Sequence, residues 1–335
     1  MKGCSGKGIT AFALGIVGLV LIGPASAQAT GAREREPIEP LPRSIALDPA
    51  RVALGEKLFY DRRVSHDGAM SCSTCHDRAR GGGDGLPRSI NNDGRPGEAN
   101  APTIFNLAFN FRLNWNGRAR TLEEQTESVL HNPMHINTSW AELLPRLAAA
   151  PEYAAAFREA YADGLRRENV IDAITTFERS LITPNASFDR FLRGEKNALS
   201  ADELQGYRQF KAYGCVACHQ GINIGGNLFQ KFGHFGDYFA RRGGPISKAD
   251  LGRYAITGRE KDRHVFRVPS LRNVAVTGPY LHDGSVETLE EMVRIMARVQ
   301  LGRTLAEEDV RVIVRFLHTL TGEYLGRPLA RHVAR

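Results

Sequence analysis

The chain has 335 residues and a formal net charge of +7, with 42% hydrophobic and 24% charged residues. This composition lies in the ordinary globular range and excludes a disordered, collagen-like or coiled-coil chain. At this length a single hydrophobic core no longer grows efficiently, so two domains are predicted. Basic pairs such as Arg241-Arg242 lack the interleaved aromatic residues of a nucleic-acid groove, and we expect no nucleic-acid partner.

The first 27 residues have the pattern of a secretory signal peptide. Lys2 and Lys7 precede an apolar run over residues 9–22, and Ala25 and Ala27 supply the small residues of a cleavage site. The run is too short to span a bilayer comfortably, and no later stretch is apolar enough to do so. We therefore expect cleavage after Ala27 and an exported mature protein without a membrane span.

All four cysteines of the mature chain lie in two CxxCH motifs, at residues 72–76 and 215–219. In this motif the two thiols add to the vinyl groups of haem, and the histidine becomes the proximal iron ligand. A disulfide framework, a Cys₄ zinc site and a thioredoxin-like dithiol are the alternatives. Zinc ribbons place their CxxC pairs roughly 15–20 residues apart, and no alternative explains the histidine after each pair. We predict two covalent haems, attached through Cys72, Cys75 and His76 and through Cys215, Cys218 and His219.

A similar amphipathic segment precedes each motif. Leu54-Gly55 and Leu58-Phe59 precede the first motif, and Gly206-Tyr207 and Phe210 precede the second. The repetition predicts a duplicated c-type cytochrome module. We place a first haem domain at residues 28–190 and a second at 191–335.

The apolar spacing elsewhere predicts helices, and no long alternating strand pattern occurs. Ser200, followed by Glu203, predicts the start of a helix that leads into the second motif. Residues 81–97 are rich in Gly, Asn, Asp and Pro and predict a loop. The expected fold is mainly α, with helices over Leu122–His131, Ala141–Leu147, Glu152–Gly164, Asn169–Leu181, Val286–Gln300 and Leu305–Leu320.

These motifs closely resemble those of the bacterial di-haem cytochrome c peroxidases, a family that also contains the MauG-like enzymes. The resemblance covers almost the whole mature chain. It is carried by residues 54–59, 72–76, 82–87, 100–103, 115–118, 214–219, 268–274 and 279–284.

The resemblance implies a division of labour between the haems, in which the first meets peroxide and the second relays electrons. It implies reduction of hydrogen peroxide to water in the periplasm, with electrons from a small cytochrome c or copper protein, and a homodimer is compatible with it. A MauG-like oxidase that modifies residues of a partner protein is the second interpretation. A purely electron-carrying di-haem protein is the third.

A sixth ligand to the second iron is implied at Met296. Leu289, Met292, Val293, Met296 and Val299 share one helical face, so packing in the core is the alternative for this residue. A histidine and a thioether together fill both axial positions and raise the reduction potential. MauG-like enzymes have a tyrosine at this position, so Met296 favours a high-potential relay haem.

The distal side of the first haem departs from the family pattern at two positions. Asn92 stands where relatives commonly have a distal histidine, and it is either this altered position or simply a turn residue. His135 stands where the family has a glutamate. It is interpreted as the acid/base for peroxide cleavage, as an iron ligand, or as an exposed loop residue. Gln125 matches a distal glutamine that steadies bound peroxide.

Two further features follow from the resemblance. Trp115 matches the tryptophan that lies between the haems in relatives, although an ordinary core indole is the alternative. Asn100, through its side chain, and the carbonyls of Thr277 and Pro279 match the protein ligands of a calcium ion between the domains, a hard-oxygen site that water would complete. His282 is expected to form hydrogen bonds in the haem pocket.

Overall fold

The computed structural model describes Met1 and residues 36–330, so the predicted signal sequence and its cleavage site lie outside the described residues. The fold is mainly α-helical, as predicted. Its helices are α1 (Pro49–Tyr60), α2 (Cys72–Cys75), α3 (Leu122–Leu130), α4 (Trp140–Ala148), α5 (Pro151–Ala160), α6 (Arg167–Ser180), α7 (Ser187–Leu192), α8 (Ala201–Ala212), α9 (Tyr238–Arg242), α10 (Tyr254–Thr257), α11 (Leu289–Leu301) and α12 (Glu307–His318). Within residues 36–330, none of these helices combines the length and apolarity needed to cross a membrane.

The strands of the described residues are only two or three residues long and form two antiparallel pairs. They are β1 (Phe229–Lys231), β2 (Val265–Arg267), β3 (Glu323–Tyr324) and β4 (Arg327–Pro328). In the β1–β2 pair, Phe229 lies opposite Arg267 and Lys231 lies opposite Val265.

Two helix pairs carry the duplicated sequence pattern. Gly55 of α1 lies against α6, where a Cβ atom would come within 1.9 Å of the Ala173 carbonyl oxygen. Gly206 of α8 lies against α12, where a Cβ atom would come within 1.9 Å of the Val312 carbonyl oxygen. Any side chain would push these backbones apart, because protein interiors are closely packed. The same crossing therefore precedes both CxxCH motifs.

The buried apolar residues form two main clusters. One lies in the first half of the chain and includes Leu58 and Phe157, and the other includes Phe188 and Phe316. Ile38 packs into the second cluster, and the Gly221 amide donates to the carbonyl of Pro37 over 2.8 Å. The segment that begins at residue 37, which we expected in the first domain, thus packs with the second half of the chain. The predicted boundary at residue 190 remains a prediction.

The predicted helix ends lie within two residues of the structure except at two places. Helix α5 ends at Ala160 instead of residue 164, because Tyr161 is extended and its hydroxyl donates to Asp172 over 2.7 Å. Helix α11 begins at residue 289 instead of 286, because the Tyr280 amide donates to the Val286 carbonyl over 2.6 Å. In both places a tertiary or cross-strand hydrogen bond keeps the helix from extending as far as the apolar spacing predicts.

Candidate haem and active sites

The first CxxCH motif forms a single helical turn. Cys72 and Cys75 are three residues apart in α2, so their thiols lie on one face of the turn. The ring Nδ1 of His76 lies 3.2 Å from the Gly82 carbonyl oxygen and donates to it, which leaves Nε2 for a metal. Burial lowers the pKa of His76, so the ring is neutral at pH 7, as a metal ligand must be.

The second motif repeats this arrangement. His219 donates its amide to the Cys215 carbonyl over 3.0 Å, and its ring Nδ1 lies 3.3 Å from the carbonyl oxygen of Ile224. Burial lowers the pKa of His219 to about 4. Gly225 has a φ of +127°, and a Cβ there would lie 2.2 Å from the Pro269 carbonyl oxygen. Only glycine fits this close passage beside the histidine.

The chemistry of both motifs fits covalent haem. Cys72, Cys75, Cys215 and Cys218 are all free thiols. Among the described residues, no cysteine belongs to a group of side chains close enough to share a metal ion. The structure thus gives no support to the disulfide and zinc alternatives. Each site instead offers two thiols beside a neutral imidazole whose Nε2 is available.

His135 lies in the loop that follows α3. The Oδ1 atom of Asn132 accepts the Met134 amide over 2.9 Å, which fixes the orientation of this side-chain amide. Its Nδ2 group therefore donates to Nδ1 of His135, 3.3 Å away. Burial lowers the pKa of His135, and the positive charge of Arg118 lowers it further. The ring is thus neutral at pH 7 and carries its proton on Nε2.

Gln125 lies on α3 and presents an unused acceptor. Its Oε1 atom is buried and finds no hydrogen-bond partner in the described part of the chain. A buried polar atom without a partner indicates that a group outside the protein chain completes the site. Gln125 therefore suits the predicted contact with a bound small molecule.

The side chain and the backbone amide of Asn92 both form hydrogen bonds to another loop. Its side-chain Nδ2 donates to the Pro133 carbonyl over 2.7 Å, and its amide donates to the Met134 carbonyl over 3.0 Å. These bonds tie the loop around Asn92 to the loop that carries His135. The contacts agree with the turn interpretation, and they give this turn the added task of holding His135.

Met296 lies on α11, partly buried against the second apolar cluster. Cys215 packs against the same cluster, and the Phe210 ring in it lies 6.5 Å from the ring of His219. Met296 thus shares one apolar core with the second CxxCH motif, in an environment unlike the polar surroundings of His135.

Trp115 and Asn100 are joined directly. The indole Nε1 of Trp115 donates to the Asn100 carbonyl over 3.0 Å, and the Asn100 amide donates to the His282 carbonyl over 2.8 Å. The Nδ2 group of Asn100 donates to the Leu86 carbonyl, also over 2.8 Å, which leaves Oδ1 as a cation ligand. Asn100 therefore contacts the segment that follows Thr277 and Pro279, and the calcium site itself stays a prediction.

The structure adds Arg118, Asp250 and Arg242, to which the sequence assigns no role, and it gives His282 a hydrogen-bond partner. The guanidinium charge of Arg118 acts on His135. The buried ring of His282 lies 2.7 Å from Asp250, whose carboxylate also receives two hydrogen bonds of 2.8 Å from Arg242. Burial alone would raise the pKa of Asp250, but these bonds hold it well below its usual range. Residues 250 and 282 are distant in sequence, and no pattern links them.

Comparison with known proteins agrees with this geometry. The family model described as di-haem cytochrome c peroxidase matches residues 49–197. The chain is 44% identical to the cytochrome c peroxidase Ccp of Escherichia coli over 86% of its own length, and it spans 62% of that relative. It is 41% identical to the cytochrome c551 peroxidase of Nitrosomonas europaea, over 86% of this chain and 85% of the relative.

A solved structure of a MauG-like protein associated with microbial copper homeostasis has the same fold. Its TM-score is 0.73 at 29% sequence identity, and the match covers 89% of this chain and 96% of that one. The identities to named peroxidases, over most of both chains in the Nitrosomonas case, decide the family. The protein belongs to the di-haem cytochrome c peroxidase family, as its motifs predicted.

Proposed function

We propose that this protein reduces hydrogen peroxide to water at the first CxxCH site. The observation that carries the proposal is a pair of polar groups that are uncommitted within the described residues, Nε2–H of His135 and Oε1 of Gln125, both at positions predicted to lie on the distal side. One is a donor and the other is an acceptor. A peroxide molecule needs both, because each of its oxygens can accept and each of its hydroxyls can donate.

The protein groups have separate tasks in this reaction. Bound haem supplies the iron and the electron exchange. Gln125 accepts a hydrogen bond from the peroxide hydroxyl, and His135 donates from Nε2 to the other oxygen. Arg118 supplies positive charge where the cleaving O–O bond leaves negative charge on oxygen. Each peroxide takes up two electrons and two protons and yields two molecules of water.

The tautomer of His135 bears on whether this residue is an iron ligand or a hydrogen-bond donor to peroxide. An iron ligand needs an Nε2 atom without a proton, whereas the donation from Asn132 to Nδ1 keeps the proton on Nε2. The same donation disfavours protonation of Nδ1, and hence the imidazolium form. This supports His135 as a hydrogen-bond donor to peroxide rather than an iron ligand, and it disfavours a purely electron-carrying protein.

The second site suits electron relay. His219 and Met296 would occupy both axial positions of the second haem, and a thioether raises the potential. Met296 in place of a tyrosine favours peroxidase over a MauG-like oxidase of partner proteins. The likeness to the MauG-like structure keeps that oxidase as the second candidate function.

The remaining expectations belong to this proposal. The predicted signal sequence supports a periplasmic location, where a small cytochrome c or copper protein would deliver the electrons. Calcium would be held by Asn100, Thr277 and Pro279. Through the bond between Asn100 and Trp115, this site would fix the indole on the path between the haems.

Two measurements test the proposal. Mass spectrometry of the protein, expressed with a working haem-attachment system, should show two covalent haems. Consumption of peroxide should then require a reduced cytochrome. A bare polypeptide mass would refute both haem sites, and peroxide consumption indifferent to the reduced cytochrome would refute the peroxidase function.

A further inference from the structure

Arg267, at the end of β2, is a buried cation with no anionic partner within residues 36–330. Its side chain is only 4% exposed. Its guanidinium makes three long hydrogen bonds, from Nε to the Asn114 carbonyl at 3.3 Å, and from Nη1 to Asn110 Oδ1 at 3.5 Å and the Val268 carbonyl at 3.4 Å. All three acceptors are neutral. Among the described residues, no carboxylate lies within ion-pair distance of Arg267, and burial lowers its pKa to about 10.

Another buried arginine and a partly buried one do have anionic partners. Arg272, five residues further along and 1% exposed, lies 2.6 Å from Asp189. Arg242 pairs with Asp250 at 2.8 Å and Asp283 at 3.1 Å. A buried charge is tolerated where it is paired, because desolvation otherwise opposes folding strongly. The missing partner of Arg267 is therefore an anion that the described part of the chain does not supply.

The position of Arg267 indicates which anion this is. Pro269, two residues further along, contacts the ring of His219 through its carbonyl. The amide of Arg267 donates to the Trp115 carbonyl over 2.9 Å. Arg267 thus contacts the tryptophan segment through its backbone amide and through its guanidinium, which donates to the Asn114 carbonyl, and it lies two residues from the contact with His219. A haem fixed by two thioether bonds and an iron bond still carries two propionate carboxylates.

We propose that Arg267 binds a propionate of the haem attached at Cys215 and Cys218. The inference rests on the proposed function only in requiring haem at that motif. Guanidinium and carboxylate form charge-assisted hydrogen bonds, which would replace the three long bonds to neutral acceptors. A fixed positive charge next to the haem stabilises the ferrous form, whose net charge is more negative. Arg267 would therefore raise the potential of the relay haem.

The test is a spectroelectrochemical titration of the holoprotein and of three variants. Arg267→Gln removes the charge, Arg267→Lys retains it, and Arg253→Gln is the control. Arg253 lies in the same region, with its guanidinium 4.2 Å from the ring centroid of Phe229. We expect Arg267→Gln to raise the ferric-to-ferrous ratio of the second haem about tenfold at a given potential, a shift of about 59 mV. Arg267→Lys should recover most of this shift, and the control should show none.

Several outcomes would overturn the assignment. They are an unchanged potential in Arg267→Gln with both haems attached, a shift confined to the first haem, or an equal shift in the control. If Arg267→Gln does not fold, resonance Raman spectra of Arg267→Lys decide. The propionate bending band of the second haem must shift when lysine replaces the forked guanidinium, and an unchanged band refutes the contact. A protein without peroxidase activity that shows the potential shift would refute the proposed function but keep this inference.

Discussion

The two CxxCH motifs share one local frame and face different surroundings. In both, a helix that crosses its partner at a glycine leads into the motif, and the histidine donates from Nδ1 to a backbone carbonyl. Near the first motif lie the neutral imidazole of His135 and the Arg118 charge, and Gln125 on α3 has an amide oxygen without a partner in the described part of the chain. Around the second lies an apolar cluster with Met296. On the proposed function, the shared frame would attach a haem at both motifs, whereas the side chains around each motif would decide whether that haem reacts with peroxide or relays electrons.

The largest effect is expected at His135. Replacement by alanine removes the Nε2 donor and should lower kcat/KM for peroxide by roughly 10²–10³-fold, the usual effect of losing one such donor. Glutamine, whose amide N–H can donate, should restore part of the activity. Glutamate, ionised at neutral pH, should not.

The same set of variants tests the acid/base role predicted from the sequence. Recovery by glutamate but not by glutamine would show that the residue acts as a base, and faster reaction of the alanine variant would show an iron ligand. His66→Ala is the control, because His66 is an exposed residue that bonds to Glu142 over 2.7 Å. Its activity should equal that of the wild type.

The pH profile checks the same residue independently. His135 has a lowered pKa, so it stays neutral until the pH falls below the ~6.5 of an ordinary histidine. Protonation would then place an Nδ1–H group against the Asn132 amide. We expect kcat/KM to fall only below that pH, and a fall that begins above pH 7 would contradict the assigned tautomer.

The shared helix crossing predicts matched losses of stability. Gly55→Ala and Gly206→Ala each place a methyl group against a backbone carbonyl and should lower the free energy of unfolding by about 1–3 kcal/mol. Denaturant titration measures this. Gln205→Ala, at an exposed position of the same helix as Gly206, should change stability by less than about 0.5 kcal/mol. If only one glycine variant is destabilised, the two crossings are not equivalent.

A smaller effect is expected from Met296→His. Imidazole stabilises the ferric state more than a thioether does, so the second haem should stay low-spin while its ferric-to-ferrous ratio rises roughly tenfold or more at a given potential. Turnover with a high-potential donor should fall accordingly. Met292→Leu, buried on the same helix, is the matched control. An unchanged potential and near-infrared thioether band would make Met296 a core residue only.

The smallest effect is expected at the proposed calcium site. Chelation, or Asn100→Ala, should slow electron transfer between the haems several-fold without detaching either haem. Either change removes the bond between the ion and the Asn100 side chain, and so loosens the backbone carbonyl of residue 100 that accepts from the Trp115 indole. Stopped-flow reduction of the two haems measures this rate. Asn169→Ala serves as the control. Asn169 donates to Asp163 and is far from Asn100 in the sequence. If neither chelation nor Asn100→Ala changes the rate of electron transfer between the haems, calcium has no role in that transfer.

Local chemistry could be predicted from the sequence, and contacts between distant segments could not. The CxxCH motifs and the capping box of Ser200 with Glu203 depend on residues within one turn, and the structure contains both as expected. The tautomer of His135 depends on how Asn132 is oriented by a backbone amide, which no spacing encodes. Similarly, the unpaired state of Arg267 depends on which carboxylates are absent from its surroundings in the fold.

The most direct test of the division of labour is the optical and EPR spectrum of the fully oxidised protein, recorded before and after one equivalent of peroxide. The account predicts one high-spin haem, open on the side of His135, and one low-spin haem with histidine and methionine ligation. Peroxide should alter the high-spin signal first, without prior reduction of the protein. Two low-spin haems that peroxide leaves unchanged would contradict the claim that the first site is open and reactive.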